Sequence, residues 1–259
     1  MDKNNYDFWT ERALSDKYSF LTDTMSDMYR RNLEIRLLNG TITKNKNLKT
    51  KSLLDIGCGS GYTCIMLGKY FKVVEGFDVC DALIEKANGL DPNGTYYVDD
   101  IVNPKTEKKY DVIITQRCLQ NIPTWEDQQK AILNINELLN KNGIAYILEC
   151  TVEGRENLSL LRTHFGLEPL PKLSFNNNFK IDELFNFCDT IFDVEIIGNS
   201  LAGYDIMSKV LYPYLLLNTG ETPNFDSEYN RSICDFLDVL QVMEQKYNKT
   251  ILLELKKIV

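Results

Sequence analysis

The sequence predicts an α/β fold, an open doubly wound sheet of parallel strands with helices on both faces, and three observations carry that prediction. Apolar runs of strand length recur at LLDIG (53–57), VVEGFD (73–78), TYYVDD (95–100), YDVIITQ (110–116) and GIAYILECT (143–151). Stretches with helical spacing of apolar residues separate most of them, which is the alternation of a parallel sheet. A glycine-rich bend, GCGSG at 57–61, ends the first run where strand passes into helix.

Taken in order, residues from about 7 to 38 read as helix, with Leu21, Met25, Met28, Leu33 and Ile35 among charges and Gly40 as a stop. A lysine-rich loop, KNKNLKTK at 44–51, leads into the first strand. GYTCIMLGKYF (61–71) and DALIEKANG (81–89) are the first crossover helices, and a helix from about Trp125 to Leu139 joins the fourth and fifth strands. The alternation lapses from Val152 to Asn178, a Pro- and Asn-marked stretch too long for an ordinary connection, and such connections are often functional. Patterning resumes with a helix at 181–187, the strand FDVEIIG (192–198) and helices at about 204–217 and 227–245. TILLELKK (250–257), alternating and terminal, is expected at the edge of the sheet.

The 259 residues, 44% of them hydrophobic, suffice for one large domain. A net charge of −8 and a pI near 4.9 repel a phosphate backbone, so nucleic acid is not an expected partner. Seven cysteines without a CxxC pair, and a single histidine, His164, argue against a metal site and suit a reducing cytoplasm. The chain start lacks the apolar core of a signal peptide and no run is long enough to cross a bilayer, so no membrane is expected and the location expected is cytoplasmic.

Gly57, Gly59 and Gly61 remove side chains at the carboxyl end of the first strand, so a ligand can lie against bare backbone. The spacing is GxGxG, two residues after Asp55, and not the GxGxxG of dinucleotide sites; a tight strand-to-helix turn alone would also use such glycines. Asp78 ends the second strand at the distance of a carboxylate that accepts from a ribose diol, although an aspartate there also suits a helix cap. Asp100 ends the third strand where an adenine would then reach, its carboxylate for the amino group and the Ile101 amide for a ring nitrogen. The phosphate-binding pattern GxxxxGK[ST] is absent.

With these residues in place, the chain resembles the class I S-adenosylmethionine-dependent methyltransferases over roughly Leu53 to Thr151, Asp55, Gly57, Gly59 and Gly61 matching their DxGxGxG motif. The resemblance implies a Rossmann-like seven-stranded sheet with one reversed strand, TILLELKK, and S-adenosylmethionine across the strand ends. It gives Asp78 and Asp100 the ribose and adenine roles, with Cys58, Val79, Ile101 and Gln116 beside them. A finer likeness is to small-molecule methyltransferases of bacterial capsule and surface-polysaccharide gene clusters. It rests on RxLEI at 31–35, RCLxNxxxWExQ at 117–128, ExTxxGxxxLxxLR matched in part from Glu149 to Arg162, and GLEP at 166–169. SFNNNF at 174–179 departs from it, since a histidine is expected before the asparagines.

The layout expected is a helical cap at 1–50 and a methyltransferase domain at 51–259, with a substrate-side insertion at 152–180 and a helical addition at 200–245. Displacement at a sulfonium needs alignment and exclusion of water, so the cap and the insertion are expected to cover the site. Tyr18, Arg30 and Arg31 are candidates for the cofactor's carboxylate or an anionic substrate, or else surface residues of an amphipathic helix. Arg117 is expected to grip substrate, and His164 is the candidate base for a sugar hydroxyl, although a lone histidine is more often structural. An already anionic acceptor, such as a phosphate or phosphoramidate oxygen, needs no base. Tyr204, Tyr212 and Tyr214 line a pocket or pack into the core.

The function expected is O-methylation of a small sugar-nucleotide or phosphorylated intermediate by a monomer or homodimer. A methyltransferase-like binding subunit without turnover, a nucleic-acid methyltransferase and a nicotinamide dehydrogenase are the alternatives.

Overall fold

The computed structural model describes residues 3–15, 17–19, 22–171, 176–197, 201–217, 219–224, 226–236 and 249–258. Seven strands form one sheet: β1 (Ser52–Ile56), β2 (Val73–Asp78), β3 (Thr95–Val98), β4 (Tyr110–Gln116), β5 (Leu139–Cys150), β6 (Phe192–Ile197) and β7 (Thr250–Lys257). Their order is β3-β2-β1-β4-β5-β7-β6. β1 to β5 pair in parallel, and β7 runs antiparallel to both neighbours. TILLELKK is thus the reversed strand, but it is not at the edge. Its apolar residues Ile251, Leu252, Leu253 and Leu255 are buried between β5 and β6, and burying them outweighs the edge-like alternation of its last residues. β6, with Asp193, Glu195 and Ile196 exposed, is the edge on that side.

The strand order reverses between β1 and β4, so their carboxyl ends splay apart and leave the crevice in which doubly wound sheets bind ligands. Leu54, Ile56, Ile113, Ile147 and Leu253 face one core layer with α5 (Trp125–Leu138) and α7 (Ile181–Asp189). Leu53, Val112, Tyr146 and Leu252 face the other, with Leu38 and Leu67.

The cap is two helices and not one, α1 (Lys3–Leu14) and α2 (Met28–Ile42). α2 begins where Asp27 accepts from the Arg30 amide, which makes a new start after the turn and bends at 22–26. It also runs through Gly40, where nothing lies near enough to object to a side chain. α1 packs along α4 (Asp81–Leu90), with Tyr6 donating to Asp81 at 2.9 Å and Ala13 against Cys80 and Leu83.

The stretch after β5 is not an irregular insertion. Thr151 caps α6 (Val152–His164) by accepting from the Gly154 amide. Only Gly154 and Leu158 of α6 are buried, and Leu158 packs on Leu167 and Val210 instead of on the sheet, so the apolar face is too narrow to mark the helix in the sequence. Further on, α8 (Leu201–Ile206), a π-helical turn (Met207–Leu211) and α9 (Tyr212–Leu216) form one continuous helical stretch, and α10 (Glu228–Phe236) follows. The rest of the helix expected to 245, and Ser174 and Phe175 of SFNNNF, lie outside the described residues.

Candidate active site

The bend after β1 is bare for two local reasons. Gly57 has φ +70° and a Cβ there would fall 2.3 Å from Cys118 Sγ; Gly59 has φ +55° and a Cβ would fall 2.6 Å from Thr24 Cγ2. Both the left-handed backbone and the close approach of a neighbouring element demand glycine. The Gly57 and Cys58 amides both donate to the Phe77 carbonyl, and the Gly59 amide donates to Asp78 Oδ2 at 3.0 Å, so the ends of β1 and β2 are tied together.

Around this bend opens a cleft. Asp55, Gly57, Cys58, Asp78, Val79, Asp100, Ile101, Gln116, Arg31 and Arg117, all expected from the sequence, line it. Gly59 and Gly61 do not: Gly59 is turned to give its amide to Asp78, and Gly61 starts α3 (Tyr62–Gly68) as its N-cap, with its amide on the Cys58 carbonyl. Trp9, Met25, Leu83 and Asn121 are lining residues that the sequence reading missed. Trp9 and Leu83 arrive through the α1–α4 packing, and no local motif announces them.

The donor set fits an adenosyl group. Asp78 Oδ1 accepts from the Cys80 amide at 2.9 Å and Oδ2 from Gly59, so each oxygen is aimed by one amide and keeps a lone pair for a diol. Asp99 is spent on the amides of Asp100, Lys105 and Thr106, which fold the turn so that Asp100 reaches the cleft. Ile101, Val102, Phe77 and Leu83 supply apolar wall for a flat base. Burial, helped by Asp78, pushes the Asp55 carboxyl up to about 7, and burial raises Asp78 as well, against its amide donors.

Glu149, at the end of β5, organises the loop after β4. It accepts from the Cys118, Leu119 and Gln120 amides and from Thr115 Oγ1, all at 3.0–3.2 Å, and burial pushes it up to about 7 against those donors. Held this way, Arg117 takes φ +57°, a left-handed conformation uncommon for a side-chain-bearing residue, and its own amide donates to the Leu148 carbonyl. Asn121 Nδ2 donates to the Arg117 carbonyl, and Gln128 Nε2 braces the Leu119 and Asn177 carbonyls. The RCLxNxxxWExQ and ExT residues therefore shape one wall.

α2 supplies the opposite wall. Arg31, buried at 5% exposure, lies 4.2 Å over the Tyr62 ring and 3.9 Å from Asp23. Arg30 is not at the cleft: fully buried, it donates to Glu34, Asp205, the Leu201 carbonyl and Thr250 Oγ1. Tyr18 is not at the cleft either; its ring lies 3.9 Å under the Arg12 guanidinium, which donates to the Thr22 and Asp23 carbonyls.

The candidate base is also displaced. His164 is exposed in the last turn of α6, Nδ1 2.9 Å from the Leu160 carbonyl, and does not line the cleft. Placing it on a helix that packs against Val210 and not on the strand ends takes it out of the site. The aromatic residues are structural: Tyr204 is buried and donates to Asp27, Tyr212 stacks on Tyr229 at 4.7 Å, and Tyr214 is largely exposed.

Fold and cleft together define the class I methyltransferase architecture. A family described as methyltransferase domain matches residues 26–186, and the chain belongs to it, among the S-adenosylmethionine-dependent methyltransferases. Over 147 residues it is 31% identical to malonyl-[acyl-carrier protein] O-methyltransferase 1 of Ilyobacter polytropus, covering 52% of this chain and 50% of that one. Over 107 residues it is 31% identical to the ubiquinone biosynthesis O-methyltransferase of Coxiella burnetii, covering 39% and 44%. The chain thus spans half or less of the length of these relatives. The same fold is found in the N-methyltransferase NodS from Bradyrhizobium japonicum WM9 in complex with S-adenosyl-L-homocysteine (TM-score 0.59, 13% identity, 99% and 100% coverage). It is found too in the magnesium protoporphyrin IX methyltransferase of Synechocystis PCC 6803 (TM-score 0.58, 15% identity, 99% and 95% coverage).

Proposed function

We propose that this methyltransferase moves the methyl group of S-adenosylmethionine onto an oxygen of a small acceptor that carries a phosphoryl group. A sugar nucleotide, or a phosphorylated or phosphoramidate intermediate of capsule or surface-polysaccharide assembly, fits that description. The observation that carries the reading is the meeting, in one cleft, of the bare bend, Asp78, Asp100 and the two guanidinium groups of Arg31 and Arg117. When bound, the donor supplies a methyl on a sulfonium, open to in-line displacement.

The residues of this chain bind, orient and exclude water. Asp78 and Asp100 are placed to hold the donor's sugar and base, the bend to admit its backbone-side edge, and Trp9, Thr24 and Met25 to cover it. Among the described residues that line the cleft there is no histidine and no lysine. A phosphoryl oxygen needs no group to take its proton, and a guanidinium fork suits it, which favours that acceptor over a neutral sugar hydroxyl. The likeness to capsule-cluster enzymes supports the sugar-linked class.

Titration calorimetry with S-adenosylhomocysteine tests the donor, and transfer of labelled methyl to nucleoside-diphosphate sugars, phosphoramidates and neutral sugars tests the acceptor. Binding together with transfer to the phosphorylated acceptors is expected. Transfer to neutral sugars alone overturns the acceptor, and no binding overturns the donor.

A further inference from the structure

Two neutral side chains in the cleft wall, Gln116 and Thr63, have their donors committed to fixed partners. Gln116 ends β4, Thr63 lies in the first turn of α3, and both line the cleft with Asp55 of β1. Gln116 Nε2 donates to Glu34 Oε2 at 2.8 Å. Glu34 is fully buried, lies outside the cleft lining and has its other oxygen on Arg30 Nε at 2.9 Å. A carboxylate accepts and does not donate, so the amide cannot put its oxygen on that side. Its oxygen is at the other end, where it accepts from Thr63 Oγ1 at 3.0 Å. The carbonyl keeps one lone pair, and the hydroxyl, its single proton given away, keeps only lone pairs.

The strand order decides what meets these acceptors. With the base at Asp100 after β3 and the sugar at Asp78 at the end of β2, the order β3-β2-β1-β4 carries the remainder of the donor toward the ends of β1 and β4. That remainder is an amino acid, with one ammonium and one carboxylate. Among the described residues that line the cleft the cations are Arg31 and Arg117, which attract the carboxylate and repel the ammonium. An ammonium has three donors and no acceptor, the complement of Gln116 Oε1 and Thr63 Oγ1.

We propose that Gln116 Oε1 and Thr63 Oγ1 receive the α-ammonium of S-adenosylmethionine, and that Glu34 is the positioning residue that allows it, by holding the Gln116 amide the one way round that leaves its oxygen for the ligand. An amide held the other way would meet the ammonium with its own NH2 group. Glu34 touches no ligand and acts through Gln116. This rests on the donor and not on the phosphoryl-acceptor reading.

Calorimetry compares S-adenosylhomocysteine with its deaminated analogue, in which hydrogen replaces the α-ammonium, for wild type, Gln116→Met, Thr63→Val, Glu34→Gln and the Gln116→Met/Glu34→Gln double variant. Wild type is expected to prefer the amino compound by about tenfold or more, the worth of hydrogen bonds from a charged donor. Gln116→Met, of similar length and without an amide, should cut that preference to about threefold or less and leave affinity for the deaminated analogue within about twofold. Thr63→Val, which leaves α2 untouched, should lower the preference as well. Glu34→Gln keeps a partner for the Gln116 amide and no longer dictates its direction, so it should lower the preference, yet change it by less than about twofold once Gln116 is Met. The proposal is overturned if wild type binds the two compounds equally, if Gln116→Met and Thr63→Val weaken both alike, or if Glu34→Gln acts as strongly without Gln116 as with it. A wild type that binds both compounds equally leaves the donor standing; one that binds neither overturns the donor itself.

Discussion

The Gln116 side-chain amide donates to Glu34 Oε2 at 2.8 Å, joining the end of β4 to the middle of α2. Glu34 also accepts from Arg30, and Gln116 Oε1 accepts from Thr63 Oγ1 at 3.0 Å, so three elements around the cleft meet at one buried carboxylate. Glu34→Ala leaves the Arg117 guanidinium with no ion-pair partner among the described residues and Arg30 with Asp205. A loss of about 3 kcal/mol or more is expected in denaturant unfolding, the cost of a buried cation stripped of its partner.

Asp100 is half-buried and contributes one oxygen to its own turn, through the Val102 amide. Asp100→Ala is expected to weaken S-adenosylhomocysteine binding roughly tenfold while the thermal midpoint stays near wild type, because a charge-assisted hydrogen bond to ligand is lost and little packing with it. Calorimetry alongside a melting curve separates the two effects; equal affinity would remove Asp100 from the donor site.

Gly59→Ala combines a left-handed backbone with a Cβ 2.6 Å from Thr24 Cγ2. Thr24→Ser removes that methyl and leaves the Thr24 Cβ position at an ordinary 3.7 Å. The double variant should therefore recover the steric part of the loss and retain only the backbone part, about 1 kcal/mol. Additive losses in the cycle would show that the contact does not limit the bend.

Asp55 and Glu149 are both pushed up to about 7 by burial. A carboxyl whose folded value lies above its unfolded one holds its proton more tightly when folded, so the stability it contributes is full in the acid range and is lost as pH rises through about 7. Glu149→Gln can still accept from the Cys118 and Leu119 amides and no longer titrates. Its unfolding free energy should fall less than that of wild type between the ordinary carboxylate range and neutrality, by at most on the order of 3 kcal/mol.

Ligand binding runs the other way with pH. A cationic sulfonium favours the ionised form of Asp55, which lines the cleft, so S-adenosylmethionine affinity is expected to rise through about pH 7 with proton release, and Asp55→Asn to flatten the rise. Calorimetry in buffers of different ionisation enthalpy reads the proton directly. His164→Ala, remote from the cleft, should change neither affinity nor midpoint.

The sheet, the bend and its acidic anchors were legible because each is written locally: apolar runs, GCGSG, and aspartates at strand ends. What the sequence concealed was set by tertiary packing. Arg30 and Arg31 are adjacent and alike in sequence, yet α2 turns one into the core and the other to the cleft. α6 was hidden because Leu158 is the one large side chain that it buries fully, and with it went the position of His164. Trp9 and Leu83 reach the site through contacts between segments far apart in the chain, for which no short motif exists.

The guanidinium of Arg30 bears on how the site admits its substrates. It rivets α2 at once to α8, through Asp205 and Leu201, and to the start of β7, through Thr250. Swinging α2 outward would part the buried Arg30 from Asp205 and from the β7 and α8 groups that it holds, so α2 is a fixed jamb. Any door must be hung elsewhere, on α1 and the turns around Thr24 and Met25, which touch the cleft and are held by the Asn5 bond to the Asn121 carbonyl and the Arg31–Asp23 pair instead of by a fully buried guanidinium with four partners.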